Sequence, residues 1–448
     1  MVKMKSWFAV TLVAMLFAGL LSACSGGGSN EGTNGNTAGT NKPAQNEPAK
    51  SEPVKLKFWG GVPAEAGPQA IVDAWNAQNK DIQVEYERFV NDDPGNLKLD
   101  TALMTGQDAD LFVNYAMPRL KQRVEAGLAL DLSALGDYNI DDMMGPDAKL
   151  WQVDGKYYGM PTTKNMAFFW LNKDMLDKAN LPIPPLDWTW DDVRTYAKKL
   201  KETGTNWGLL QHEAVFMAPF DGTLAAIGTT KADGKSNLDN PLMKAGFQNY
   251  YDLMFTDQST PPYGEQITSK MPVDTMFLKG EAGMLNAGLF IFRNSNNLKD
   301  NPRTFKIAFA AMPRISKNDS EFKYPGGLGD VISINAKSPN KEAAWKFLKW
   351  YADGGMLPVA AGGRIPASKA VNKDEALNLM LKGVEDLYDK DSLMKVVFGE
   401  FPTYVDMLDQ KMVDMRREEF EKFFLKQEDL DTALANMVKK HNEALGVK

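Results

Sequence analysis

Residues 54–89, VKLKFWGGVPAEAGPQAIVDAWNAQNKDIQVEYERF, change their hydrophobic period twice within a short span. Val54, Leu56 and Phe58 alternate and the run stops at Gly60-Gly61, which predicts a half-buried strand. From Pro68, a residue suited to the first turn of a helix, Ile71, Ala74 and Trp75 fall on one face and predict an amphipathic helix. Residues 82–89 alternate again. Beyond them, LKLDTALMTG (97–106) predicts a helix closed by Gly106, and ADLFVNYA (109–116) a short buried strand. Strand, helix, strand, helix, strand implies parallel strands joined by crossover helices, an α/β fold. In such sheets ligands bind beyond the carboxyl ends of the strands, where Trp59 and Asn114-Tyr115 fall.

Downstream, WQVDGKYYGMP (151–161) predicts a hairpin turning at Asp154-Gly155, and MAFFWLNKDML a strand running into a helix. DWTWDDVRTYAKKLKETG (187–204) carries Thr189 as N-cap, Asp192 three residues on and Gly204 at its end. FKIAFAAMP (305–313) and DVISINAKS (330–338) predict strands, and residues 340–353 a helix. The tail from about residue 374 is predicted largely helical. Trp188, Trp190, Trp345 and Trp350 are read as packing residues.

The N-terminus has a different character. Lys3 and Lys5 precede an apolar run, Trp7–Leu21, of signal-peptide length and too short to span a bilayer as a helix. The run ends in Leu21-Ser22-Ala23-Cys24, and Cys24 is the single cysteine of the chain. This resembles the bacterial lipobox, which implies a signal peptide over 1–23, cleavage before Cys24, and a lipid on its sulfur. Two or three acyl chains would hold the protein stably on a membrane without a spanning helix. Residues 24–53, rich in Gly, Asn, Ser, Thr and Pro, bury too little apolar surface to order and form a linker. A flexible coil of that length reaches roughly 30 Å. The remaining body, roughly 395 residues, exceeds one ordinary core and implies two domains.

The net charge of −7, without a long basic run, argues against nucleic acid as partner. The two histidines, His212 and His441, lack metal-ligand spacing, so neither metal nor cofactor is expected. His441 is read as a surface residue of the last helix; His212 is read as structural, with a groove position as the alternative. Residues 228–236, GTTKADGKS, have one residue too many between glycines for a phosphate loop and read as a polar hairpin. The Asp92-Asp93 pair precedes Pro94 in an expected loop, and Asp191-Asp192 opens a helix. Neither resembles a glycosidase pair, and no catalytic nucleophile motif is present.

MPTTKNMAFFWLNKDML, TWDDVRTYAKKLKETG, FLKGEAGMLNAGLF, FKIAFAAMPRI and DVISINAKSPNKEAAWKFLKWY, in that order, resemble the extracellular solute-binding proteins of the maltose-binding type, receptors of carbohydrate ABC importers. The resemblance runs from about Val54 to at least Pro366. It implies the type II periplasmic-binding-protein fold: two α/β lobes joined by three hinge crossings and closing on ligand. The crossings would lie near 161–164, 324–330 and 351–355. Lobe one would be 54–162 with 328–353, and lobe two 163–327 with 354–448. It implies a non-enzymatic, lipid-anchored protein on the extracellular face of the cell membrane, a monomer, delivering a monosaccharide or oligosaccharide to permease subunits.

Sugar recognition needs aromatic faces for CH-rich sugar faces and planar polar groups for hydroxyls, since a buried unpaired polar group costs about 1–3 kcal/mol. Trp59 is the first aromatic candidate. Asn114 aligns with a sugar-contacting position of the family. Asn165 aligns with a family carboxylate that grips hydroxyls; the amide here keeps the place and puts the substrate in doubt. Phe290 stands where maltose binders carry a stacking tryptophan. Asn286 is placed to bond ligand or cap a turn. Gly327 and Asp330 at the second crossing, and Phe216 and Tyr263 in lobe two, complete the set with Arg364. On its Gly-flanked loop, Arg364 facing the cleft would bind a uronate bidentately; otherwise it is a surface arginine. The competing readings are an exported polysaccharide-acting enzyme and a receptor for a peptide or polyamine.

Overall fold

The computed structural model describes residues 52–447 except 107, 320, 398, 400 and 405–407; the expectations for Cys24 and the signal and linker segments lie outside the described residues. Strand β1 (Val54–Gly60) pairs in parallel with β2 (Ile82–Arg88) on one side and β3 (Leu111–Asn114) on the other. Helix α1 (Pro68–Gln78) connects β1 to β2 and α2 (Asp93–Thr105) connects β2 to β3. The helix expected from residue 97 begins earlier because Asp92 is its N-cap, accepting the Gly95 N–H at 2.8 Å, with Pro94 in the first turn. The Asp92-Asp93 pair therefore opens a helix and is not in a loop.

Beyond β3 the sheet turns antiparallel. β8 (Tyr324–Ile334) runs against β3 and against β4 (Met160–Asn172), so the order is β2-β1-β3-β8-β4, continued by the strands Ala282–Gly288 and Trp207–Gln211. β5 (Trp207–Gln211) and β6 (Ala282–Gly288) are parallel to each other, and β7 (Ile307–Ala311) lies on the second half of β4. β8 is longer than the sequence suggests: of the residues expected as a glycine-rich crossing, 326–329 are already paired with β4 and 324–325 with Thr403 and Tyr404. The capping box at Thr189 and Asp192 forms as expected, and Asp154-Gly155 turn with φ of 50° and 74°.

Two aromatic-rich cores result. The first gathers Phe58, Trp75, Leu111, Trp151, Ile332, Trp345 and Phe347; the second Phe168, Trp170, Trp188, Trp190, Phe220, Tyr250, Phe309 and Phe424. β4 and β8 each run from one core into the other. The first core also takes Met356, Val359 and Ala367, so its packing extends past residue 353, where the sequence set a boundary. The chain then returns as β9 (Ile365–Pro366), which pairs with Thr163 and Lys164 of β4. Helices Lys373–Leu381, Lys390–Val397, Gln410–Phe424 and Leu430–Leu445 pack on the second core. His441, expected at the surface, is buried there with Nδ1 2.9 Å from Ser236 Oγ, because the last helix turns that face toward residues 236–238.

Candidate functional site

A groove of about 780 Å³ opens between the two cores. One wall comes from the start of α2 (Asp92, Asp93, Asn96), from Tyr115 and Arg119 beyond β3, and from Trp151. The other comes from Asn165 on β4, from His212–Ala218 after β5, from Tyr263, and from Arg416, Arg417 and Phe420 of the helix Gln410–Phe424. The floor is β8, through Pro325, Gly326, Leu328 and Gly329. Backbone economy makes that floor. A Cβ on Gly329 would stand 2.2 Å from Asn165 Nδ2, so the glycine lets the amide lie across the strand. Gly327, between two floor residues, has φ 93° and abuts Thr403, a conformation and a closeness that disfavour any side chain.

The arrangement suits a polyhydroxylated ligand. Phe216, Tyr263 and Phe420 form one aromatic group, with Phe216 4.8 Å from Tyr263 and 5.7 Å from Phe420 between ring centroids. The Tyr263 hydroxyl donates to Glu421 at 3.2 Å. The Trp151 indole N–H donates to the Leu328 carbonyl at 2.8 Å, joining wall to floor. Charges on the walls are largely matched: Arg119 with Asp93 at 2.5 Å, and Arg416 with Asp221 at 2.7 Å. His212 is half-buried, and burial lowers its pKa. A second depression, beside the helix Leu430–Leu445, shares no lining residue with this groove.

Of the residues expected from sequence, Asn165, Phe216 and Tyr263 line the groove. Gly327 sits in its floor strand. Phe290 stands behind the wall, edge-on to His212 at 4.9 Å. The others lie elsewhere. Trp59 is only 3% exposed; its N–H donates to the Asp108 carbonyl at 2.7 Å, and its ring packs with Leu99, Leu103 and Phe112. The period of two explains this: Phe58 faces the first core, so Trp59 faces the opposite side, under α2. Asn114 is fully buried, donating to Ser333 Oγ at 2.9 Å and accepting from Arg123 at 2.7 Å. Its neighbour Tyr115 takes the groove position. Asn286 is fully buried on β6 opposite Gln211, and the amides of both have no protein partner among the described residues.

Asp330 and Arg364 are brought together, but with each other. Arg364 Nε donates to Asp330 Oδ2 at 2.9 Å, both side chains 13% exposed. They close a separate cavity of about 20 Å³ lined by Tyr86, Tyr115 and Tyr351. Arg364 is thus neither a surface arginine nor a guanidinium offered to a uronate. Tyr115 reaches both spaces: its ring lines the groove, and its hydroxyl accepts from the Gly61 N–H at 2.6 Å and bonds Arg364. Burial pushes its pKa up to about 12.

Sequence reasoning missed Trp151, Glu213 and Arg416. Tyr115 was noted beside Asn114 at the carboxyl end of β3, but Asn114 was chosen as the candidate in its place. Glu213 follows His212 at the carboxyl end of a parallel strand, the same signal that drew attention to β1 and β3. Arg416 comes from a helix whose position only tertiary packing decides.

Comparison with known proteins places the chain. The family model described as bacterial extracellular solute-binding protein matches residues 60–353, and the chain belongs to that family. A Brucella abortus binding protein is 28% identical over 318 residues, 66% of this chain and 74% of the relative. The maltotriose-binding protein of Pyrococcus abyssi is 24% identical over 294 residues, 63% of this chain and 58% of the relative. An ABC substrate-binding protein from Listeria monocytogenes, solved in complex with cycloalternan, superposes with TM-score 0.72 at 22% identity, covering 88% of this chain and 100% of that one. The fold is the maltose-binding type II fold, and the chain is a binding protein, not an enzyme. Among the described residues no helix is long and apolar enough to cross a membrane.

Proposed function

We propose that this protein is the lipid-anchored extracellular receptor of an ABC importer, holding a neutral oligosaccharide between its two lobes and delivering it to the permease as a monomer. One observation carries the ligand class: a long groove between two cores combines an aromatic wall with amides and with acids and arginines that already neutralise each other. A volume of about 780 Å³ is in the upper range for small-molecule sites and suits a chain of sugars better than one. The pairing of Arg364 with Asp330 favours a neutral ligand over the uronate that the sequence left open. The relative named for maltotriose and the structural neighbour solved with cycloalternan support the same class.

The lobes we assign are 54–162 with 328–353, and 163–327 with 354–448, the stretch around 356–367 packing with the first. Ligand touching both walls favours the closed state, and closure presents a changed surface to the permease. Cys24 carries the anchor; Cys24→Ser should release the protein from membranes, and retention of a labelled variant overturns that part.

The ligand test is a thermal-shift screen with maltotriose, maltohexaose, xylotriose, arabinotriose and raffinose beside galacturonate oligomers. Binding adds about 2.7 kcal/mol at a hundredfold excess over Kd, a readily measured rise in Tm. Response to neutral oligomers alone is expected. Response only to uronates, or to no sugar, overturns the reading.

A further inference from the structure

His212 is fixed more tightly than a bystander of the groove wall needs to be. It directly follows β5, and its backbone N–H donates to the Asn286 carbonyl at 2.9 Å, tying it to β6. Its ring lies edge-on to Phe290, planes at 70°, which limits rotation about the side chain. Nδ1 accepts the Ala214 N–H at 3.2 Å and caps the short turn Glu213–Val215. A nitrogen that accepts from an amide carries a lone pair, so in the neutral ring the proton sits on Nε2. Among the described residues no hydrogen bond ends on Nε2. The geometry therefore leaves one donor of fixed direction on a ring that lines the groove.

We propose that His212 is a specificity-determining residue of the groove, its neutral ring donating from Nε2–H to an oxygen of the bound sugar, and that protonation of the ring weakens binding. This rests on the carbohydrate reading above. The second half follows from the cap. A protonated ring places an N–H on Nδ1, facing the Ala214 N–H; two donors then oppose each other and the turn must open. The charged groups acting on the ring are Glu213 on its own turn and Asp274 on the helix Val273–Leu278, which itself bonds Asn294. Both acids favour the charged ring, while β6 and residues 289–291 contribute no titratable group. Burial outweighs the acids and holds the pKa below the usual histidine value, so the ring is neutral at pH 7.

The test uses two substitutions that divide the ring between them. Gln places an N–H near the position of Nε2 and does not titrate. Asn keeps a polar atom near Nδ1 and withdraws the outer donor. With the best neutral oligosaccharide from the screen, calorimetric titration of the parent should show affinity falling at least fivefold from pH 7.5 to pH 5. His212→Gln should stay within about threefold of the parent at pH 7.5 and lose the pH dependence. His212→Asn should bind at least tenfold more weakly at every pH. An assay free of substitution is long-range proton–nitrogen NMR of histidine-labelled protein, with only His212 and His441 to assign. It should report an Nε2–H tautomer whose nitrogen resonance moves on adding sugar and whose titration shifts to lower pH. Parent-like binding by His212→Asn, or an Nε2 resonance indifferent to a sugar that binds, overturns the assignment of His212 alone. A parent that binds no sugar in the panel overturns the carbohydrate reading beneath it.

Discussion

Two spaces in this protein are built from the same residue types and do opposite things. The groove joins arginines, acids and aromatic rings in about 780 Å³; the cavity beside it joins an arginine, an acid and three tyrosines in about 20 Å³. In the groove, the Arg119–Asp93 pair reaches water, with Asp93 64% exposed. In the cavity, Asp330 and Arg364 are both nearly sealed, and nothing larger than a water molecule fits beside them. The first set of charges can meet a ligand. The second can only meet itself, and it joins elements from distant parts of the chain: β8 through Asp330, the return strand through Arg364, and β4 through the Thr162 hydroxyl, which donates to the Asp330 carbonyl at 2.8 Å. Enclosure, which no residue type announces, separates recognition from architecture.

The largest expected effect tests the sealed side. Asp330→Ala leaves a buried guanidinium without its carboxylate, a loss of about 3–5 kcal/mol. A fall of many degrees in Tm should appear in calorimetry, with Asp330→Asn milder. Normal melting combined with lost sugar affinity would move the pair from architecture to recognition and erase the comparison.

Trp59→Ala should cost about 3–5 kcal/mol as well, through the cavity left under α2. Below its lowered Tm the variant should bind sugar within about twofold of the parent. Weak binding by a variant that melts normally would restore Trp59 as a stacking residue.

A smaller effect belongs to the open side. Asn165→Ala should leave Tm within about 2 °C while weakening sugar binding about tenfold, near 1.4 kcal/mol. A drop in Tm without a change in affinity would mark Asn165 as part of the floor's packing.

The smallest effect sharpens the groove rim. Lys121 and Asp409, 2.6 Å apart with Asp409 66% exposed, and Arg417 and Asp93, 3.7 Å apart, link the two walls. Exposed pairs contribute about 0–1 kcal/mol and are screened by salt. Raising sodium chloride from about 50 to about 500 mM should change sugar affinity less than fivefold. A larger change would make rim charge a main term in closure.

How far the sequence could be read follows from the same distinction. The alternation of Val54, Leu56 and Phe58, the helix from Pro68, and the capping box at Thr189 are local signals, and each element formed where it was expected. The family resemblance ordered those elements into the fold. Direction at a strand end was harder. Trp59 and Asn114 were correctly placed at carboxyl ends and point the wrong way, because a strand has two faces and only the partner elements decide which one meets the groove. Asp330 and Arg364 were read as ligand-facing candidates, Arg364 with a surface position as the alternative, and the structure pairs them with each other instead. Their partnership was invisible because it joins residues that only the return of the chain beside β4 brings together. The wall from Gln410–Phe424 was read as generic helix, since nothing local says where a terminal helix will dock.

The course of β4 has a further consequence, for how the chain is made. Met160 pairs with Ile332, and the first core is incomplete without Phe347, Met356 and Val359. Everything translated before β8 therefore lacks the strand that must lie between β3 and β4, and the loop to be closed spans most of the second core. Contacts so distant along the chain form slowly, because closure entropy is lost before any packing is gained. The first core cannot be completed before about residue 367 has been made, and the second not before its last helix, Leu430–Leu445. For a family whose members work outside the cell, a nascent chain that delays its own collapse remains a thread that a secretion channel can carry.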